Sequence, residues 1–85
     1  MKKAKIQILP NQCRAGRALL SWSREELAAA SKVSRAAIAD FETEKRVVRE
    51  RTTDDLRAAM EQAGIEFIPA NGGGPGVRIR DNPSS

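Results

Sequence analysis

The chain has 85 residues, 40% of them hydrophobic and 31% charged, with a net charge of +4. That length holds one small domain with a short appendage, and the apolar share is too high for a low-complexity disordered chain. There is no histidine, and Cys13 is the single cysteine, so an internal disulfide is excluded and a metal centre or a Cys–His catalytic pair lacks its usual members. The reading is non-enzymatic, with no catalytic residue, no metal, no cofactor and no small-molecule effector expected.

Residues 1–9 read as a basic N-terminal arm, in which Lys2, Lys3 and Lys5 precede an Ile6-x-Ile8 alternation that suits a short strand. Its apolar run is too short for a secretory signal, and no segment approaches the ~20 apolar residues of a membrane span, so a cytoplasmic location is expected. Pro10 fits the first turn of a helix, where its missing N–H costs nothing. The pattern predicts that helix over residues 10–20. Cys13, Arg17 and Leu20 fall on one face and Ala15, Ala18, Leu19 and Trp22 on another, so packing on more than one side is expected. Cys13 reads as a small buried apolar residue, and Trp22 as core.

Ser23-Arg24-Glu25-Glu26 is a capping box, a Ser N-cap with Glu three positions on and two acids in the positive first turn. Leu27 to Ala30 continue that helix. Ser31-Lys32-Val33-Ser34 interrupts it, and Ser34 caps a third helix. There Ala37, Ile38 and Phe41 make an inward face and leave Arg35, Ala36, Ala39, Asp40 and Thr43 outside. A basic stretch follows: Lys45, Arg46, Arg49 and Arg51. Thr52 or Thr53 is expected to cap a fourth helix with Asp54 and Asp55 in its first turn. Its apolar stripe is Leu56, Ala59, Met60 and Ala63, and Gly64 is its stop. Residues 65–68 read as a strand, 71–76 as a Gly-rich loop, 77–80 as a second strand and 81–85 as a flexible tail. The triple glycine lacks the Lys-Ser/Thr and downstream helix of a phosphate loop, so it is read as a hairpin turn. Two short strands are not stable alone, so Val77 and Ile79 need cover from the helices, from Ile6 and Ile8, or from a second subunit.

Two short helices joined by a tight turn, the second with small or polar outward residues, fit a helix-turn-helix. The second helix must be anchored on one side and approach a groove about 12 Å wide on the other, which small residues such as Ala36 and Ala39 permit. Trp22-Ser23-Arg24-Glu25-Glu26-Leu27-Ala28, then Ser31-Lys32-Val33-Ser34-Arg35-Ala36-Ala37-Ile38, then Phe41-Glu42, resembles the lambda-repressor-like, or XRE (Cro-type), family of bacterial and phage regulators. The likeness covers roughly residues 11–64. Ile65 to Arg80 further resembles the tail of a subgroup of very small bacterial members with a C-terminal strand pair.

The resemblance implies a mainly α fold, a bundle of four or five helices with a short C-terminal β-hairpin. The domain would be residues 10–64, with the hairpin, 65–80, as a possible dimerisation element. It implies a cytoplasmic, homodimeric, sequence-specific regulator of transcription, a repressor reading inverted repeats in double-stranded DNA. An antitoxin or protein-binding module on the same fold is the alternative. By position, Arg24 and Ser34 would touch phosphate, joined by Lys32, Lys45, Arg46 and Arg49. Arg35, Ala36, Asp40 and Thr43 would face bases. Arg35 either reads guanine or clamps phosphate. Asp40 either accepts from cytosine or, the favoured reading, orients Arg35. Arg17 and Glu42 would form a structural ion pair between the first and third helices. Lys32 and Glu44 stand where the family usually has Gly, at positions expected to need φ > 0, and Val48 stands where Pro is common.

Overall fold

A computed structural model describes residues 7–80. The basic tip with Ile6, and the tail 81–85, lie outside the described residues. Four helices and one hairpin follow in chain order: α1 (Pro10–Leu20), α2 (Arg24–Ser31), α3 (Arg35–Glu42), α4 (Glu50–Gln62), β1 (Ile65–Ile68) and β2 (Gly76–Ile79). The fold is thus mainly α with a C-terminal strand pair. Among the described residues no helix is long and apolar enough to cross a membrane.

The core is assembled from one or two residues per turn of each helix: Cys13, Leu27, Ile38, Phe41, Leu56, Ala59 and Met60, closed below by Ile8, Ile65 and Phe67. α1 contacts α3, α4 and both strands. It does so through Gln12, Cys13 and Gly16, whereas Ala18 and Leu19 face solvent. The expectation of apolar packing on two faces is corrected accordingly. The neighbours gather on the Cys13 side, and Trp22, just past the helix, packs on the rim of the core. At Gly16 the lack of a side chain lets α1 lie close to α4, since a Cβ there would sit 2.9 Å from Met60 Sδ.

The predicted caps of α2 and α3 are present. Ser23 Oγ accepts from Glu26 N–H at 3.0 Å while Glu26 Oε1 accepts from Ser23 N–H at 2.7 Å. Ser34 Oγ accepts from Ala37 N–H at 3.1 Å. The cap of α4 is different. This helix begins at Glu50 behind Arg49, with no side-chain cap, so neither Thr52 nor Thr53 precedes it. Thr53 is buried within the first turn, and its hydroxyl donates to Glu50 O at 2.9 Å. A threonine hydroxyl can serve the backbone from inside a helix as well as from its end, which is why sequence alone misplaces this start. Ala63 lies past the last turn and is exposed, leaving Leu56, Ala59 and Met60 as the stripe. Gly64, at φ 109°, turns the chain into β1, a conformation that L side chains rarely adopt.

β1 and β2 are antiparallel, with Ile65 opposite Ile79 and Phe67 opposite Val77. β2 starts one residue earlier than expected, and Arg80 N–H extends the ladder to Gly64 O at 2.6 Å. Gln12, buried at the head of α1, ties the hairpin to the helices. Its Oε1 accepts from Leu9 N–H at 2.9 Å, and its Nε2 donates to Gly76 O at 3.0 Å and Ile68 O at 3.4 Å.

Lys32 and Glu44 do adopt positive φ, 65° and 58°, and Ser21 joins them at 58°. The turns therefore keep a glycine-like backbone without glycine. Because left-handed geometry costs a side-chain-bearing residue about 1–2 kcal/mol, and glycine returns part of that as unfolded-chain entropy, Lys32→Gly is expected to stabilise the fold by about 1 kcal/mol. A calorimetric Tm a few degrees higher is the measurable result, and an unchanged or lower Tm would count against this account of the turn.

Candidate nucleic-acid interface

The α2-turn-α3 unit is built so that α3 is held along one side only. Ile38 and Phe41 enter the core at 0% and 8% exposure, while Arg35, Ala36 and Thr43 are exposed and Ala39 and Asp40 half-buried. Three residues, Lys32 to Ser34, make the turn. Lys32 N–H closes α2 on Ala28 O at 2.9 Å, and Val33 N–H donates to Ser31 Oγ at 3.2 Å. Val33 packs against the core, which sets how α3 leaves the turn.

Two arginines on this side are held by acids. Arg35 Nε donates to Glu25 Oε2 at 2.5 Å, across the turn, and Arg46 Nε donates to Asp40 Oδ2 at 2.9 Å. The favoured expectation that Asp40 orients Arg35 is therefore corrected. Helical side chains lean toward the N-terminus, so Arg35, first in α3, reaches back to α2, and Asp40 lies on a different side of the helix. Hydrogen bonds from its own backbone N–H and from Arg35 hold the Glu25 carboxyl below the usual carboxylate range. Thr43 Oγ1 donates to Ala39 O at 2.7 Å. Lys32, Lys45 and Arg49 are exposed. Ser34 is exposed at the head of α3, with its hydroxyl engaged in the cap.

Behind α3 lies a carboxylate with four donated hydrogen bonds. Glu42 is 0% exposed. Arg17 reaches it twice, from Nε and Nη2, both at 2.8 Å, the fork geometry that suits a guanidinium and a carboxylate. Arg24 Nε donates to Oε1 at 2.9 Å, and Cys13 Sγ donates to Oε2 at 3.1 Å. Arg14 bonds the backbone carbonyl of Glu42, and Arg17 Nη1 donates to Trp22 O at 3.0 Å. The Arg17–Glu42 pair is thus in place, and it is larger than a pair. Arg24, expected at phosphate, points its Nε at Glu42 instead, leaving a guanidinium with a side chain 27% exposed. Cys13 is buried as expected, yet it acts as a hydrogen-bond donor rather than a purely apolar filler.

The titration of this cluster follows from its packing. Burial works to raise the pKa of Glu42, but the hydrogen bonds from Arg17, Cys13 and Arg24 outweigh it and hold the carboxyl below its ordinary value. Burial, then the adjacent Glu42, pushes the Cys13 thiol up, so it stays protonated and unreactive. The Glu42 hydrogen bonds raise Arg17 despite its partial burial.

Glu25 as the holder of Arg35, Gln12 as the hairpin clasp and Cys13 as a donor are the functional placements that sequence reasoning missed. Only Glu25 had a signal: a carboxylate in the first turn of α2, one short turn away from the first residue of α3. No protein-family model matches the chain, and no curated protein matches it.

Proposed function

We propose that the chain is a DNA-binding transcriptional regulator of the lambda-repressor-like (XRE) type, which lays α3 in the major groove and acts as a homodimeric repressor. The observation that carries the reading is the one-sided anchoring of α3. Ile38, Phe41 and Glu42 fix it from behind, and its front offers only short or forked side chains, Arg35, Ala36, Asp40 and Thr43. A capped helix N-terminus at Ser34, beside Lys32, adds backbone N–H groups suited to a phosphate. Lys45, Arg46 and Arg49 extend the cationic rim past the end of α3, and Arg24 contributes what its bond to Glu42 leaves available.

On this reading direct readout rests mainly on Arg35, because a guanidinium matches the O6/N7 edge of guanine. The carboxylate of Glu25 would fix the direction from which that fork approaches. Lys45 and its neighbours add affinity without sequence choice.

Fluorescence anisotropy with duplexes from the DNA upstream of the chain's own gene tests the proposal, with a shuffled duplex as reference. Specific binding that weakens as salt rises is expected. Arg35→Ala should lower affinity for the preferred duplex by roughly 5- to 150-fold and narrow its lead over the shuffled one. Lys45→Ala should weaken both duplexes alike and lower the log–log salt slope by about 1. Equal affinity for every duplex would replace a regulator with a nonspecific architectural protein. No binding at low salt would remove nucleic acid from the account.

A further inference from the structure

The hairpin leaves one apolar residue uncovered on its helix-facing side. Ile79 lies opposite Ile65 on the face turned toward the helices, yet Ile65 is 0% and Ile79 59% exposed. β1 is flanked by α4 and α1, whereas β2 lies over α1 and has no strand beyond it among the described residues. Beside it, Pro75, Gly76 and Val77 border a groove with Asn11, Gln12 and Ala15.

The backbone polarity of that open edge follows from the register. Arg80 N–H bonds Gly64 O, which makes Gly64/Arg80 a hydrogen-bonded rung. Antiparallel rungs alternate, so Glu66/Arg78 and Ile68/Gly76 are hydrogen-bonded as well, and Phe67/Val77 and Ile65/Ile79 are not. The N–H and C=O of Val77 and Ile79 therefore point away from β1, toward the open side. They form a short template for another strand.

We propose that the open edge of β2 pairs antiparallel with β2 of a second copy of this chain, with Val77 opposite Val77 on the two-fold axis, to give a continuous four-stranded sheet. Charge selects this register. With Val77 on the axis, Arg78 faces Gly76 of the other copy and Arg80 faces Gly74, so no like charges are directly opposed, and the two Arg78 are only diagonal neighbours across the axis. With Ile79 on the axis, Arg78 would face Arg80 twice, an unfavourable pairing of directly opposed cations. An axis at Arg78 fails because its N–H and C=O are already turned to β1. Each Arg78 is moreover neutralised on its own hairpin, where Nε and Nη2 reach the Glu66 carboxylate at 3.0 and 3.2 Å.

The register also serves the apolar side. It lines up Phe67, Val77 and the partner copy's Val77 and Phe67 in one row across the sheet. It sets the exposed Ile79 opposite Pro75 of the other copy. Ile79 N–H would donate to that Pro75 carbonyl, and Pro75, lacking an N–H, leaves a single acceptor per copy to water. A strand from an unrelated chain would satisfy the same backbone groups. Only a second β2 supplies glycine opposite both arginines by symmetry. The pairing takes up the homodimer of the proposed function and gives it an interface. A monomer would remove the dimer from both while leaving groove binding by α3 to its own test, and absence of DNA binding would leave the pairing standing.

Sedimentation equilibrium on the full chain gives the first test: a concentration-dependent dimer is expected, and a monomer up to millimolar concentration would overturn the proposal. Val77→Pro removes an edge N–H without touching a β1–β2 bond. The circular dichroism should be unchanged while the dimer weakens roughly 30-fold, from two lost hydrogen bonds across the axis. A dimer indifferent to this change would sink the register. Oxidative cross-linking decides independently of stability. Val77→Cys should give a covalent dimer and Ile79→Cys should not; the reverse result would overturn the proposal.

Discussion

Replacing Glu42 with alanine is expected to destabilise the domain by about 3–5 kcal/mol, the usual consequence of removing one member of a buried ion pair. That is a large share of the ~5–15 kcal/mol that holds a small domain together. Glu42 is the shared acceptor for Arg17, Arg24 and Cys13, and it belongs to α3 while its partners belong to α1 and α2. Without it, Arg17, whose side chain is only 18% exposed, keeps a charge and loses its counterion. The melting temperature should fall by more than about 12 °C at pH 7. Glu42→Gln, which keeps the volume and one acceptor oxygen, should fall less. A change of under about 1 kcal/mol for the alanine variant would show that water replaces the cluster freely.

The same residue sets an acid limit. Because the folded-state pKa of Glu42 is depressed, the native state binds fewer protons than the unfolded chain between the two values. Its contribution is full above the unfolded carboxyl value, about 4.3, and is lost as pH falls through the folded one. Cys13 acts in the opposite sense. Its raised pKa contributes stability below the unfolded thiol value, about 8.5, that is lost as pH rises above it. Thermal melts between pH 7 and 3 should therefore show a shallower acid slope for Glu42→Gln than for the natural chain.

Placing a carboxylate on the front of α3 should have the largest functional effect. Ala36 is exposed and touches none of the core, so Ala36→Glu should leave the melting temperature nearly unchanged. An acid in the first turn of a helix is if anything favourable. Against DNA it would oppose phosphate and base acceptors at close range, and like charges brought together across an interface cost several kcal/mol. Affinity should drop by at least ~100-fold on that basis. Unaltered binding by a folded Ala36→Glu protein would show that α3 does not face the nucleic acid.

What could be read from the sequence was what is decided within four residues along the chain. Ser23 with Glu26, Ser34 before Ala37, and Gly64 after α4 each declare a helix end through a local hydrogen bond or a backbone angle. Ile38, Phe41, Leu56 and Met60 declare their faces by spacing alone. The front of α3 was legible for the same reason. What depended on distant partners was not. Arg24 turns to Glu42, eighteen positions later, and Asp40 takes Arg46 in preference to Arg35, because geometry across a turn decides between competing cations. Thr53 deceived because its hydroxyl finds a carbonyl inside the helix, so its preference for helix ends had no force. Ile79 alternates correctly along β2 yet stays exposed, since alternation names a face and says nothing of how far the helices extend beneath it.

The carboxylate at the back of α3 has a further consequence for how the front performs. An eight-residue helix alone in water is too short to persist, since nucleation is costly and few bonds repay it. Here its last residue is tied to two other helices and its first turn is closed by Ser34, so neither end can fray without breaking the cluster or the cap. On the proposed reading, the backbone of α3 would then need no ordering on contact, and only exposed side chains such as Arg35 would lose freedom there.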